Sequence, residues 1–109
     1  NLKSIRTILD MQNAMEAYWL TAKKGKIGEI YNIGGIEPIK IELFLKQLIS
    51  YSNKEIKTYL DPKLIRKNDI TLQVPDITKF EKHTGWKNTT KLKKSSQDLL
   101  QYFRSKYNV

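Results

Sequence analysis

The chain has 109 residues, 20 Lys+Arg against 11 Asp+Glu, one His and no Cys, for a formal net charge of +9. This length suits one small domain or a piece of a larger protein. The composition excludes a disulfide framework, a thiol nucleophile and Cys- or His-rich metal sites, and no run approaches the ~18 apolar residues of a membrane span. No apolar stretch near the start resembles a signal peptide. A Cys-free, leaderless chain fits a cytoplasmic setting, and a start at Asn1 rather than Met suggests a fragment. The positive charge favours anionic partners, although the Lys residues are scattered as on an ordinary solvated surface.

In chain order, Ser4 to Ile8 alternates apolar and polar residues and predicts a short strand. A helix follows over about Leu9 to Lys24, with Met11, Met15, Tyr18 and Ala22 as its core-facing stripe and Lys23-Lys24 suited to its C-terminus. Gly25 and Gly28 break it. Glu29 to Ile33 reads as a strand closed by a turn at Gly34-Gly35. Ile41 to Ser52 predicts a second helix with an apolar face of Ile41, Phe44, Leu45, Leu48 and Ile49, although Lys40 is a poor cap. Ile56 to Leu60 alternates and predicts a strand ended by Asp61-Pro62. Residues 63–75 read as a loop with a short strand near Thr71 to Val74. Asp76 and Gly85 are good start and stop signals for a short helix, and Lys91 to Lys106 predicts a last one with Leu92, Leu99, Phe103 and Tyr107 on one stripe. The expected class is α/β, one domain over residues 1–109, with about four helices and three or four short strands.

Common catalytic signatures are missing. The five glycines do not have the G-x-G-x-x-G spacing of a dinucleotide cradle, and no P-loop is present. Tyr102 and Lys106 fit Tyr-x-x-x-Lys, but at a helix end and with no cofactor fold beside them. His83 reads as a surface cation in the last turn of a helix rather than a general base. Lys91, Lys93, Lys94, Arg104 and Lys106 point several ways around the last helix, which argues against a nucleic-acid face. No catalytic and no metal-binding residue is assigned.

Two arginines have more specific settings. Arg6 lies inside an extended apolar run, where a guanidinium needs an anionic partner. Arg66 lies in a loop three residues before Asp69. Its planar fork suits phosphate oxygens, and a carboxylate beside it suits sugar hydroxyls; an internal Arg66–Asp69 ion pair is the plain alternative.

Arg6 to Asp10, Ala14 to Leu20 and Gly28-Glu29-Ile30-Tyr31-Asn32-Ile33-Gly34-Gly35, followed by Asp61-Pro62, Arg66, Asp69, Leu72 to Asp76, Lys79-Phe80 and Thr84-Gly85-Trp86-Lys87, together resemble a known pattern. It is that of the C-terminal part of extended short-chain dehydrogenase/reductases (the NAD-dependent epimerase/dehydratase family). The GDP-mannose 4,6-dehydratase and GDP-4-keto-6-deoxymannose reductase classes are most similar. The resemblance implies a substrate-binding segment without its Rossmann half. It implies that Arg6 and Arg66 contact the diphosphate of a GDP-hexose or similar nucleotide sugar, that Asp69 contacts the ribose, and that Asn1 lies near the nucleotide. It further implies that NAD or NADP and the catalytic residues belong to the parent enzyme and not to this segment, and that the parent is a homo-oligomer. Lys67 and Asn88 stand where the family usually has Pro. Without the Rossmann half, apolar surface should be left uncovered. The competing expectation is a stand-alone basic module binding nucleic acid or protein.

Overall fold

The computed structural model describes residues 1–108. The alternating run near the N-terminus forms β1 (Ile5–Thr7), the middle strand of a three-stranded sheet. On one side lies β2 (Pro38–Lys40), antiparallel, with Arg6 opposite Ile39. On the other lies β3 (Leu72–Gln73), parallel, with Ile5 opposite Leu72 and Arg6 opposite Gln73. The strand expected near residue 72 is therefore present but short. The strands expected at Glu29–Ile33 and Ile56–Leu60 are not formed, and β2 takes their place. Alternation marks a half-buried segment, but a strand also needs a ladder partner. Neither of the two missing runs has one among the described residues. Pro38 lacks an N–H and tolerates the first position of an edge strand.

Helix α1 (Met11–Lys24) begins at Asp10, whose carboxylate accepts the Gln12 N–H at 2.8 Å. It ends where the Gly25 N–H donates to the Thr21 carbonyl at 2.9 Å. The expected core stripe of α1 points the wrong way: Met11 is 71% and Tyr18 65% exposed. The buried face is Asn13 and Ala17, with Leu20 beside them. This helix carries apolar residues on two faces. The side with the small Ala17 allows the closest approach of neighbouring side chains and wins the core.

That core consists of Ala17, Ile77, Phe80 and Trp86, with Leu9, Leu20, Tyr31 and Ile33 packed around it. Phe80 meets Trp86 at a centroid distance of 5.6 Å and Tyr31 edge-on at 5.5 Å, geometries favoured by aromatic quadrupoles. Phe80 belongs to α3 (Thr78–Thr84). Asp76, expected as its cap, lies one residue before the cap residue Ile77 and still accepts the Thr78 N–H at 2.9 Å. Gly85 stops it in the left-handed region at φ 75°.

Helix α2 (Ile41–Ser50) has no side-chain cap. Its first N–H groups are instead satisfied by the N-terminal backbone: Ile41 donates to the Ser4 carbonyl at 3.0 Å and Glu42 to Leu2 at 2.9 Å. This resolves the poor capping of Lys40. A single 3-10 turn occupies Pro62–Leu64. The last helix, α4 (Leu92–Tyr107), buries Leu92 and Ser96, whereas Leu99, Phe103 and Tyr107 of the expected stripe are exposed. It is tied down by polar bonds. Ser95 Oγ donates to Asp10 Oδ2 at 2.6 Å, and the Arg104 guanidinium donates to the Tyr51 carbonyl at 2.7 Å. No helix is long and apolar enough to cross a membrane.

Candidate functional site

The sheet brings three of the four sequence-assigned binding residues together. Arg6 projects from β1, and one guanidinium nitrogen lies 3.7 Å from Asp69 Oδ1 while another donates to its neighbour's carbonyl, Ile5 O, at 3.1 Å. Ser4, itself buried, donates its hydroxyl to Asp69 Oδ2 at 3.3 Å. Hydrogen bonding from Asn1, then from Ser4, together with the Arg6 charge, outweighs desolvation and holds the Asp69 carboxyl below its ordinary range. Asp69 is thus an anion at neutral pH beside the Arg6 guanidinium.

Arg66 stands apart. It is exposed on the loop before Asp69 and, among the described residues, makes no ion pair. The alternative Arg66–Asp69 pair is not formed; the Asp69 oxygens face Arg6 and Ser4 instead. Sequence reasoning missed Ser4, which carried no signal beyond its place next to the strand.

Arg6 opens onto a cleft of about 770 Å³, whose polar side chains are Arg6, Thr7, Tyr31, Asn32 and Gln73. One wall is the Gly34-Gly35 pair. Neither glycine has a positive φ, so the expected turn role is replaced by close packing. A Cβ on Gly35 would lie 2.2 Å from the Ile8 carbonyl oxygen, and one on Gly34 would lie 2.3 Å from Pro75 Cγ. Protein atoms therefore occupy the side-chain position at both glycines, and any larger residue there must displace its neighbours.

His83 is not the free surface cation expected. Its Nδ1 lies 2.9 Å from the Tyr31 hydroxyl, which also accepts the Lys26 N–H at 2.9 Å. Lys79 sits 5.4 Å over the Tyr31 ring and pairs with Glu29 at 2.5 Å. This cluster anchors the segment that becomes the cleft wall. Tyr102 and Lys106 stack, ammonium 5.8 Å from the ring centroid, on the exposed end of α4. Among the described residues no group of His, Cys, Asp or Glu could hold a metal ion.

No protein-family model matches the chain. Solved structures do. RMD from Pseudomonas aeruginosa, complexed with NADPH, is 23% identical with a TM-score of 0.85, covering 97% of this chain and 35% of that one. The UDP-glucose 4-epimerase of Thermotoga maritima, solved with UDP-glucose, is 25% identical with a TM-score of 0.77, covering 98% of this chain and 34% of that one. The dTDP-glucose 4,6-dehydratase of Bacillus anthracis, in complex with NAD, is 19% identical with a TM-score of 0.77, covering 96% and 33%. The chain spans about a third of the length of these proteins. Its fold is that of the C-terminal part of extended short-chain dehydrogenase/reductases.

Proposed function

We propose that residues 1–109 are the nucleotide-sugar-binding part of a larger NAD- or NADP-dependent enzyme, a sugar-nucleotide dehydratase, reductase or epimerase, with a GDP-hexose as substrate. Arg6 and Arg66 hold the diphosphate through charge-assisted hydrogen bonds, Asp69 accepts from the ribose hydroxyls, and Asn1 lies against the nucleotide. The observation that carries this reading is the Arg6–Asp69 pair, held by Ser4, beside an open cleft. Asp69 orients Arg6 without exhausting its own acceptors, since each carboxylate oxygen has a second lone pair. Binding of this kind positions the sugar for chemistry at residues outside this chain, so its energy serves orientation. In this reading the cofactor site lies beyond these residues and the parent is a homo-oligomer.

The test is calorimetric titration of the intact polypeptide containing this chain with GDP-mannose, UDP-glucose and dTDP-glucose. Arg6→Ala and Arg66→Ala are each expected to weaken binding roughly tenfold or more, as loss of a charge-assisted bond requires, with GDP-mannose bound tightest. Neutralising Lys91, Lys93 and Lys94 at the start of α4 should leave it unchanged. Absence of binding by all three nucleotide sugars, with a salt-dependent affinity for nucleic acid that those lysines set, would replace this reading with the basic-module one.

A further inference from the structure

The lysines are scattered along the sequence, yet the fold gathers part of them. Helices α1 and α3 end side by side: Lys24 Nζ, in the last turn of α1, donates to the Thr84 carbonyl at the end of α3 at 3.2 Å. The chain leaving α1 stays there, since the Lys26 N–H donates to the same Tyr31 hydroxyl that meets His83 of α3. Residues 21–30 and 78–84 carry five lysines against Glu29 and Glu81. Lys79 pairs with Glu29. Lys23, Lys24, Lys26 and Lys82 are exposed and make no ion pair among the described residues.

Cations at helix C-termini complement the helix dipole, which accounts for Lys23, Lys24 and Lys82. It does not account for Lys26 or for the residue after it. Lys26 to Glu29 forms a tight turn, closed by the Glu29 N–H on the Lys26 carbonyl at 3.1 Å, with Gly28 at φ 80°. Ile27 sits at the tip of this turn and is fully exposed. Such turns accept most residues at that position and favour Pro, so the backbone does not ask for an aliphatic side chain there. Trp19, also exposed, has Lys23 Nζ 5.6 Å from its ring centroid.

An apolar tip flanked by cations matches a surface that is anionic outside and apolar just beneath. A bilayer with anionic headgroups is such a surface. Lysines meet its phosphates, an aliphatic side chain enters the acyl boundary, and an indole favours the interface. A nucleic acid would use the lysines and leave Ile27 in water.

We propose that the Lys26–Glu29 turn, with Lys23, Lys24 and Lys82 beside it, is a docking surface for an anionic lipid bilayer. The inference is independent of the nucleotide-sugar reading, because none of these residues lines the Arg6 cleft.

The test sediments the intact polypeptide containing this chain with vesicles of phosphatidylcholine, pure or mixed with phosphatidylglycerol, at low salt. Binding is expected to the mixed vesicles only. Lys23→Gln, Lys24→Gln and Lys26→Gln together should weaken it about a hundredfold, at about fivefold per lysine. Ile27→Ala should weaken it roughly threefold to tenfold, as partial withdrawal of an aliphatic side chain from lipid requires. Lys91→Gln with Lys93→Gln, exposed cations at the start of α4, should change it less than about twofold, since they lie outside the docking surface. All these side chains are exposed, so thermal melts should match wild type. No binding to the mixed vesicles would overturn the proposal. So would an equal loss per lysine from the α4 pair, which would mean that net charge alone is at work. An Ile27→Ala variant that binds like wild type would overturn it as well, because nothing would then enter the lipid. Single-stranded DNA bound more tightly than the vesicles through the same lysines would make the surface a nucleic-acid face instead.

Discussion

Two regions of this small chain are built differently. Residues 9–35 and 75–92 share one core around Ala17, Phe80 and Trp86, and every apolar side chain that is fully buried lies there. Residues 41–70 contain no buried residue at all. Their helix, α2, has the cleaner amphipathic pattern, yet its apolar face is only half-buried and borders hollows of about 470 and 560 Å³. Amphipathicity in the sequence establishes that a helix has a face to bury; it does not say what covers that face. The first region supplies its own cover, and the second is tied to the rest by polar bonds: the Ile41 and Glu42 N–H groups, Asp69 with Ser4 and Arg6, and the Tyr51 carbonyl with Arg104.

The sharpest way to break this contrast is truncation on each side of it. Phe80→Ala removes a fully buried ring and should cost about 3–5 kcal/mol, enough to unfold a marginal domain. Leu64→Ala removes a side chain that is 75% exposed and should stay within about 0.5 kcal/mol. Urea melts of the two variants decide it. Comparable losses would mean that the 41–70 region is packed as tightly as the core.

The same contrast explains what was legible in the sequence. Local chemistry was readable: Asp10 and Asp76 as starts, Gly85 as a stop, Arg6 in a strand beside an anion. These depend on residues within a few positions. Partner choice was not readable. The Met11–Tyr18 stripe reads as core by periodicity, but Ala17 on the other face packs closer. Glu29–Ile33 has the pattern of a strand and no neighbour to pair with. At the candidate site, the charges of Arg6 and Asp69 were visible, whereas their pairing with each other needed the β1–β3 register. Ser4 is an ordinary polar residue until the fold sets it against Asp69, as are Asn32 and Gln73 until they line one cleft.

A second, smaller effect is expected at the seam between sheet and core. Gly35→Ala places a methyl 2.2 Å from the Ile8 carbonyl oxygen, a backbone atom that cannot swing aside. The cost should be about 1–3 kcal/mol, typical of overpacking, and the Ile8 backbone should shift, loosening the cleft wall. Gly28→Ala is the control in the open: φ is 80° there with nothing within 4 Å, so any loss comes from backbone strain alone, about 1 kcal/mol. A Gly35→Ala variant as stable as wild type would show that the wall is compliant.

The smallest effect concerns how α4 is fastened to the cored region, and it is a function of pH. The Asp10 carboxylate accepts from Ser95 Oγ and from the α1 N-terminus. The Ser95 bond, ahead of the Gln12 and Asn13 N–H groups and the Lys94 charge, lowers its pKa from the ordinary 3.8 against an opposing desolvation. A folded pKa below the unfolded one means that the unfolded chain binds the proton more readily. The contribution to stability is therefore complete well above pH 3.8, and it falls away as the pH drops through 3.8 and then through the depressed folded value. Asp10→Asn keeps a capping oxygen but not the charge, so it should be less stable than wild type at pH 7, by about 1 kcal/mol. The gap should shrink steadily as the medium is acidified below pH 3.8. Melts at a series of pH values read this directly. A gap that does not change with pH would mean that Asp10 fastens α4 by geometry alone and that its charge adds nothing.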